Sequence, residues 1–155
     1  MKIRLLLVGK IENGHIKALA ELYCERISHY AAIEIDVIRP EKIKNMTVAE
    51  LLKREGERIL AKLSTAEYTV VCEKGGKQFS SEEYAAFFDR LAAQGRKQVT
   101  FVIGGPLGIA NKVQKEADEQ LSLSRMTFPH ELVAVVLLEQ IYRAHTILRG
   151  ENYHK

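Results

Sequence analysis

The chain reads as an α/β protein whose mostly parallel sheet is flanked by helices, and three observations carry that reading. Short apolar runs alternate with amphipathic helical stretches from end to end, the pattern of strands joined by crossover helices. The first of those runs, Ile3 to Val8, is continuous rather than alternating, as in a strand covered on both faces. Several of the runs lead into glycines, which let backbone turn or approach a ligand at a strand end.

In chain order, Ile3 to Val8 is an apolar run closed by Gly9, interrupted only by Arg4. Ile16, Leu19, Ala20, Tyr23, Ile27 and Tyr30 then share one face of a helix. Ile33, Ile35, Val37 and Ile38 form a second strand before Pro40. Thr47 and Glu50 make a capping box, so a helix starts there, with Val48, Leu51, Leu52, Ile59 and Leu63 as its apolar side. Tyr68 to Cys72 is a third strand, followed by a turn at Gly75-Gly76. A second capping box, Ser80 and Glu83, opens a helix through Tyr84, Phe87, Phe88 and Leu91 that stops near Gly95. Val99 to Ile103 is a fourth strand ending in Gly104-Gly105-Pro106-Leu107-Gly108. A helix over 109–119, a short strand over 120–125 and a last helix over 130–148 complete the chain, with Pro129 suited to that helix's first turn.

At 155 residues, one domain spanning 1–155 is expected, and a hydrophobic fraction of 46% suffices for a core. A net charge of +3 is compatible with an RNA partner without demonstrating one. Cys24 and Cys72 stand alone in their segments, which predicts reduced thiols in a cytosolic protein and no metal. The apolar start reads as a buried strand rather than a signal peptide, and Leu132 to Leu138 is too short to cross a bilayer. No P-loop or G-x-G-x-x-G follows a strand, and no H-E-x-x-H is present, which disfavours NTPase, dinucleotide and zinc-hydrolase readings.

Ligands of open α/β sheets bind beyond the strands' carboxyl ends. Three segments can reach that region: 72–76, 104–108 and 123–128. The last helix is apolar around most of its circumference, which predicts burial on several sides and a two-fold homodimer. Within it, Glu139 and Arg143 are spaced to pair, and His130 opens it. Arg54, Arg58 and Lys62 form a basic stripe, better read as a solvated face than as a phosphate contact. Arg96-Lys97 and Lys74/Lys77 could rim an RNA surface, and Phe79, Phe128 and Tyr153 are the aromatics available for base stacking.

The runs Phe101-Val-Ile-Gly-Gly-Pro106, Leu121-Ser-Leu-Ser-Arg-Met-Thr-Phe-Pro-His130 and Leu138-Glu-Gln-Ile-Tyr-Arg-Ala144, with the closing Tyr153-His154, resemble ribosomal RNA large subunit methyltransferase H of the SPOUT superfamily. The likeness extends to the chain's length, its start and Glu55-Gly56. It implies a trefoil knot within about 99–150, a homodimer, and S-adenosylmethionine held by Cys72, Gly104, Leu123, Ser124, Arg125, Met126, Thr127 and Phe128. Cys72 stands where the resemblance implies leucine. The implied reaction is methylation of N3 of a pseudouridine in the helix 69 loop of 23S rRNA, in assembled ribosomes. Arg143, Glu139, His154 and Tyr153 are then the candidate catalytic residues, the last two reaching in from a partner chain. Alternatives are a SPOUT enzyme acting on tRNA or another rRNA site, a non-catalytic ribosome-binding dimer, and a plain interaction module.

Overall fold

The computed structural model describes residues 1–154. Lys155, the end of the predicted tail, lies outside the described residues. Five strands form one parallel sheet in the order β2-β1-β4-β3-β5. They are β1 (Lys2–Val8), β2 (Ile33–Ile38), β3 (Tyr68–Lys77), β4 (Gln98–Ile103) and β5 (Glu119–Leu121). Helices α1 (Gly14–Ser28), α3 (Ser81–Ala93) and α5 (His130–Leu148) pack on one face. Helices α2 (Val48–Lys62) and α4 (Asn111–Glu116) pack on the other. Strand periodicity divides the labour: Ile3, Leu5 and Leu7 point into the first layer, Leu6 and Val8 into the second.

Both capping boxes exist, with Thr47 and Ser80 accepting from the N–H three residues on. Under α3, Phe79, Tyr84, Phe87, Phe88 and Phe101 form an aromatic cluster. Phe79 therefore serves packing rather than base stacking.

Several sequence expectations need correction. Gly75-Gly76 is no turn: β3 runs through it to Lys77 with a register shift against β5. A Cβ on Gly76 would sit 2.6 Å from the Gln120 backbone, so glycine is what admits the neighbouring chain there. Helix α4 is shorter than expected, and β5 ends at Leu121, leaving 122–129 irregular. Leu19 and Val48, assigned to buried helix faces, are 45% and 49% exposed. Ala134, Val135, Leu137, Leu138, Ile141 and Ala144 of α5 are buried within their own chain, and the apolar stripe left outside is Leu132 and Val136. Arg58 of the basic stripe pairs with Glu41, and Lys62 lies 3.8 Å from Asp36.

After β5, at the sheet edge, the chain returns to the sheet's centre. The first turn of α5 reaches the end of β1: His130 Nε2 is 3.5 Å from a Cβ position on Gly9, and Glu131 accepts from the N–H groups of Glu12 and Asn13 at 3.1 and 3.3 Å. Segment 122–129 thus crosses the carboxyl ends of β3 and β4, beside the loop that follows β4.

Candidate active site

A cleft of about 980 Å³ opens where those two segments meet. That is room for a nucleoside-sized ligand. Its walls come from the end of β3 (Cys72 to Gly75), the β4–α4 loop (Gly104 to Ile109), the return segment (Leu123, Ser124, Met126 to Pro129) and the start of α5 (His130, Val133). It lies beyond the strands' carboxyl ends, as the sheet type predicts.

The walls are built for backbone recognition. Gly104 is pressed against its own loop: a Cβ there would lie 2.4 Å from Ile109 Cγ1 and 2.6 Å from Gly108 O. Only glycine lets the chain fold this tightly between β4 and α4. In the return segment, Ser122 Oγ donates to Ser124 O at 3.0 Å and Ser124 Oγ accepts from Met126 N–H at 3.0 Å, which shapes the turn. Among the described residues, the N–H groups of Leu123, Thr127 and Phe128 have no intramolecular acceptor and are available to a ligand.

Two side chains in the wall, Cys72 and His130, have buried polar atoms. Burial pushes the Cys72 thiol up to about 12, so it stays protonated at neutral pH and packs as a small hydrophobe. His130 Nε2 is buried without a partner among the described residues.

Of the residues assigned to the cofactor, Cys72, Gly104, Leu123, Ser124, Met126, Thr127 and Phe128 all line the cleft, whereas Arg125 does not. Arg125 is exposed and its side chain takes no part in the wall. Glu73 and Lys74, within the 72–76 segment expected to reach this region, also face it, as do Gln114 and Gln120, which sequence reasoning missed. The Gly75-Gly76 signal pointed at the first two.

The four residues proposed for catalysis form a second constellation further along α5. Arg143 Nε and Nη2 donate to Glu139 Oε1 at 3.0 and 2.5 Å. Tyr153 donates to the same oxygen at 3.1 Å, its ring 4.8 Å from the guanidinium. His154 Nδ1 is 3.3 Å from Arg143 Nη1, and its Nε2 is 2.9 Å from Glu82 Oε1, which places the ring proton on Nε2. Gln140 Nε2 donates to the other Glu139 oxygen at 2.6 Å, and Gln140 Oε1 accepts from the Ser81 hydroxyl at 2.9 Å. The hydrogen bond to Glu139 raises the Arg143 pKa further, so the guanidinium is a permanent cation. Burial, then the hydrogen bond with Tyr23, lifts the Tyr153 phenol well above its usual value, so it is no base. The Glu82 backbone N–H, then His154, hold the Glu82 carboxyl down at about 2.

None of these four lines the cleft. Arg143 lies roughly 20 Å along α5 from His130, at 1.5 Å per residue. The tail folds back on its own α5, so one chain keeps the two constellations apart.

Among the described residues, no helix is long and apolar enough to cross a membrane, and no cluster of three His, Cys, Asp or Glu suits a metal.

Comparison with known proteins fits this geometry. The family model described as "Predicted SPOUT methyltransferase" matches residues 1–154. Proteins named Ribosomal RNA large subunit methyltransferase H, from Bacillus thuringiensis (strain Al Hakam) and Bacillus cereus (strain B4264), are each 45% identical over 159 residues, with the whole of both chains covered. Among solved structures, that of a probable methylase family protein from Haemophilus influenzae Rd KW20 superimposes with a TM-score of 0.58 at 12% identity, covering 99% of this chain and 70% of that one. That likeness shows the fold. The chain is a methyltransferase and belongs to the SPOUT family, with the proteins named ribosomal RNA large subunit methyltransferase H as its full-length relatives.

Proposed function

We propose that this enzyme uses S-adenosylmethionine to methylate N3 of a pseudouridine in the helix 69 loop of 23S rRNA, acting in the cytoplasm on assembled ribosomes as a homodimer. Residues 1–155 then form one domain, with the knot within about 99–150. The observation that carries the reading is the cleft between the β4–α4 loop and the return segment, in a chain whose full-length relatives bear an rRNA methyltransferase name.

The cleft fits the cofactor on its own terms. Its volume suits a folded nucleoside, its free N–H groups suit a purine edge, and Leu123, Met126 and Phe128 offer apolar contact. When bound, S-adenosylmethionine supplies an electrophilic methyl group on a sulfonium, so the protein's task is placement and charge. The nucleophile is an imide nitrogen whose proton passes to solvent water before or as the methyl group arrives. Arg143 stabilises the resulting anion and Glu139 orients Arg143. Because one chain separates this pair from its own cleft, the partner's tail constellation completes each site. Leu132 and Val136, exposed on α5 beside the cleft-lining Val133, are apolar surface for that contact.

The test is methyl transfer from labelled S-adenosylmethionine to ribosomes, with the modified nucleoside identified by mass spectrometry. Label at another rRNA position or in tRNA would replace the target; no transfer and no cofactor binding would favour a non-catalytic ribosome-binding dimer.

Two further outcomes are expected. Gly104→Ala forces the loop to move and should weaken S-adenosylmethionine binding by about tenfold or more, ~1.4 kcal/mol, in calorimetry, while the dimer stays folded. Removal of residues 153–155 should abolish turnover and leave dimerisation and cofactor binding intact; full activity of that truncation would exclude a catalytic tail.

A further inference from the structure

The loop joining β2 to α2 carries Arg39, Lys42 and Lys44, all exposed, with Ile43 at its tip 61% exposed. Among the described residues, no carboxylate pairs with Lys42 or Lys44. The base of the loop is fixed. Arg58 Nη1 donates to Arg39 O at 2.8 Å and its other nitrogen pairs with Glu41, whose N–H donates to Glu55 Oε1 at 2.9 Å. Glu55 is 5% exposed. A carboxylate that deeply buried needs a reason. Its second oxygen lies 3.7 Å from the Cβ position of Gly105 in the cleft wall. One buried side chain therefore hydrogen-bonds the base of the cationic loop and packs beside Gly105 of the cleft wall.

We propose that this loop docks the phosphate backbone of the ribosomal RNA beside the cleft through Lys42 and Lys44, and that Glu55 is the positioning residue that sets its distance from the reacting base. This rests on the rRNA reading above and names the surface that holds the substrate. Phosphate is the complement of unpaired lysines, and fixing the loop's base lowers the ordering cost of each contact. The helical stripe on α2 is a poorer dock, because Arg58 and Lys62 already face carboxylates.

The experiment measures ribosome binding by co-sedimentation and methyl-transfer rates against ribosome concentration and salt. It compares wild type, Lys42→Ala/Lys44→Ala, and the charge-matched control Lys2→Ala/Lys115→Ala, two lysines assigned to no RNA surface. The loop variant is expected to raise the ribosome KM about tenfold, leave kcat and S-adenosylmethionine affinity within twofold, and flatten the log–log salt slope by about 1.5. The control should match wild type. Glu55→Ala should raise KM as the loop variant does, and Glu55→Gln, which keeps an acceptor for Glu41 N–H, should restore it. Unchanged KM and salt slope in the loop variant overturn the proposal, as does an equal loss in the control. If wild type binds ribosomes but transfers no methyl, the functional reading fails separately, and the binding arm still judges the loop. Wild type that does not bind ribosomes overturns it outright.

Discussion

Replacing Glu67 by alanine is expected to destabilise the fold by about 3–5 kcal/mol, the cost of breaking a buried charged network. Glu67 is 5% exposed and serves four partners at the amino-terminal end of the sheet. It accepts from the Thr100 hydroxyl, from Gln98 Nε2 at 2.7 Å and from Ser64 N–H at 2.5 Å, and it faces Arg4 Nη1 at 3.7 Å. Without it, fully buried Thr100 loses its acceptor and Arg4, 8% exposed, keeps only Asp36, Lys62 O and a distant Glu34. A total stability of about 5–15 kcal/mol makes this a large fraction. Urea unfolding should show the midpoint falling with an unchanged slope. The contrast is Glu34→Ala, whose pair with Lys2 is nearly half exposed on both sides and is expected to cost under about 1 kcal/mol. A Glu67→Ala loss as small as that would show the network to be dispensable.

The same network sets an acid limit. The hydrogen bond from Arg4, then Lys62, holds the Asp36 carboxyl below its usual range. A depressed folded value means that Asp36 stabilises fully above its unfolded value and loses that contribution as pH falls through the lowered one. Asp36→Asn should accordingly flatten the acid side of the stability profile.

Arg4 shows where the sequence was legible and where it was not. The apolar run around it announced a buried central strand, and β1 is central. The partners that justify a charge there come from β2, the end of α2 and the α2–β3 loop, so no local pattern could reveal them. Helices α2 and α3 were readable because Thr47/Glu50 and Ser80/Glu83 are local chemistry. The glycines at 75–76 misled because a turn and a close chain approach call for the same residue; the approaching Gln120 lies far along the chain. Segment 122–129 has no period to read, since it forms neither helix nor strand and is shaped by local serine hydrogen bonds. Its place at the strand ends was legible from the chain order, while the cofactor assignment of its individual residues came through the resemblance; Arg125 alone of these is absent from the cleft lining. Glu55 drew notice as part of a familiar pair, but its role depends on two loops meeting it from opposite sides.

The largest catalytic effect is expected at Arg143. Arg143→Ala should lower kcat by about 10²–10³, as loss of one preorganised donor to a developing anion does. S-adenosylmethionine affinity should hold, because Arg143 lies outside the cleft that would bind it. Glu139→Gln should cost less, since the guanidinium keeps its charge and loses only part of its anchoring. A structural role would lower activity equally at all pH values. An anion-stabilising role predicts partial recovery of Arg143→Ala at high pH, where the substrate imide ionises unaided, so its rate profile should shift upward in pH relative to wild type. Mixed dimers then decide where Arg143 acts. At S-adenosylmethionine well below the Kd of the Gly104→Ala cleft, a heterodimer of one Gly104→Ala chain and one Arg143→Ala chain pairs a loaded cleft with an intact arginine only across the interface. Activity near half that of wild type places the tail constellation in the partner's site; an inactive heterodimer places it in its own, and would require α5 and the tail to move by many ångströms during turnover.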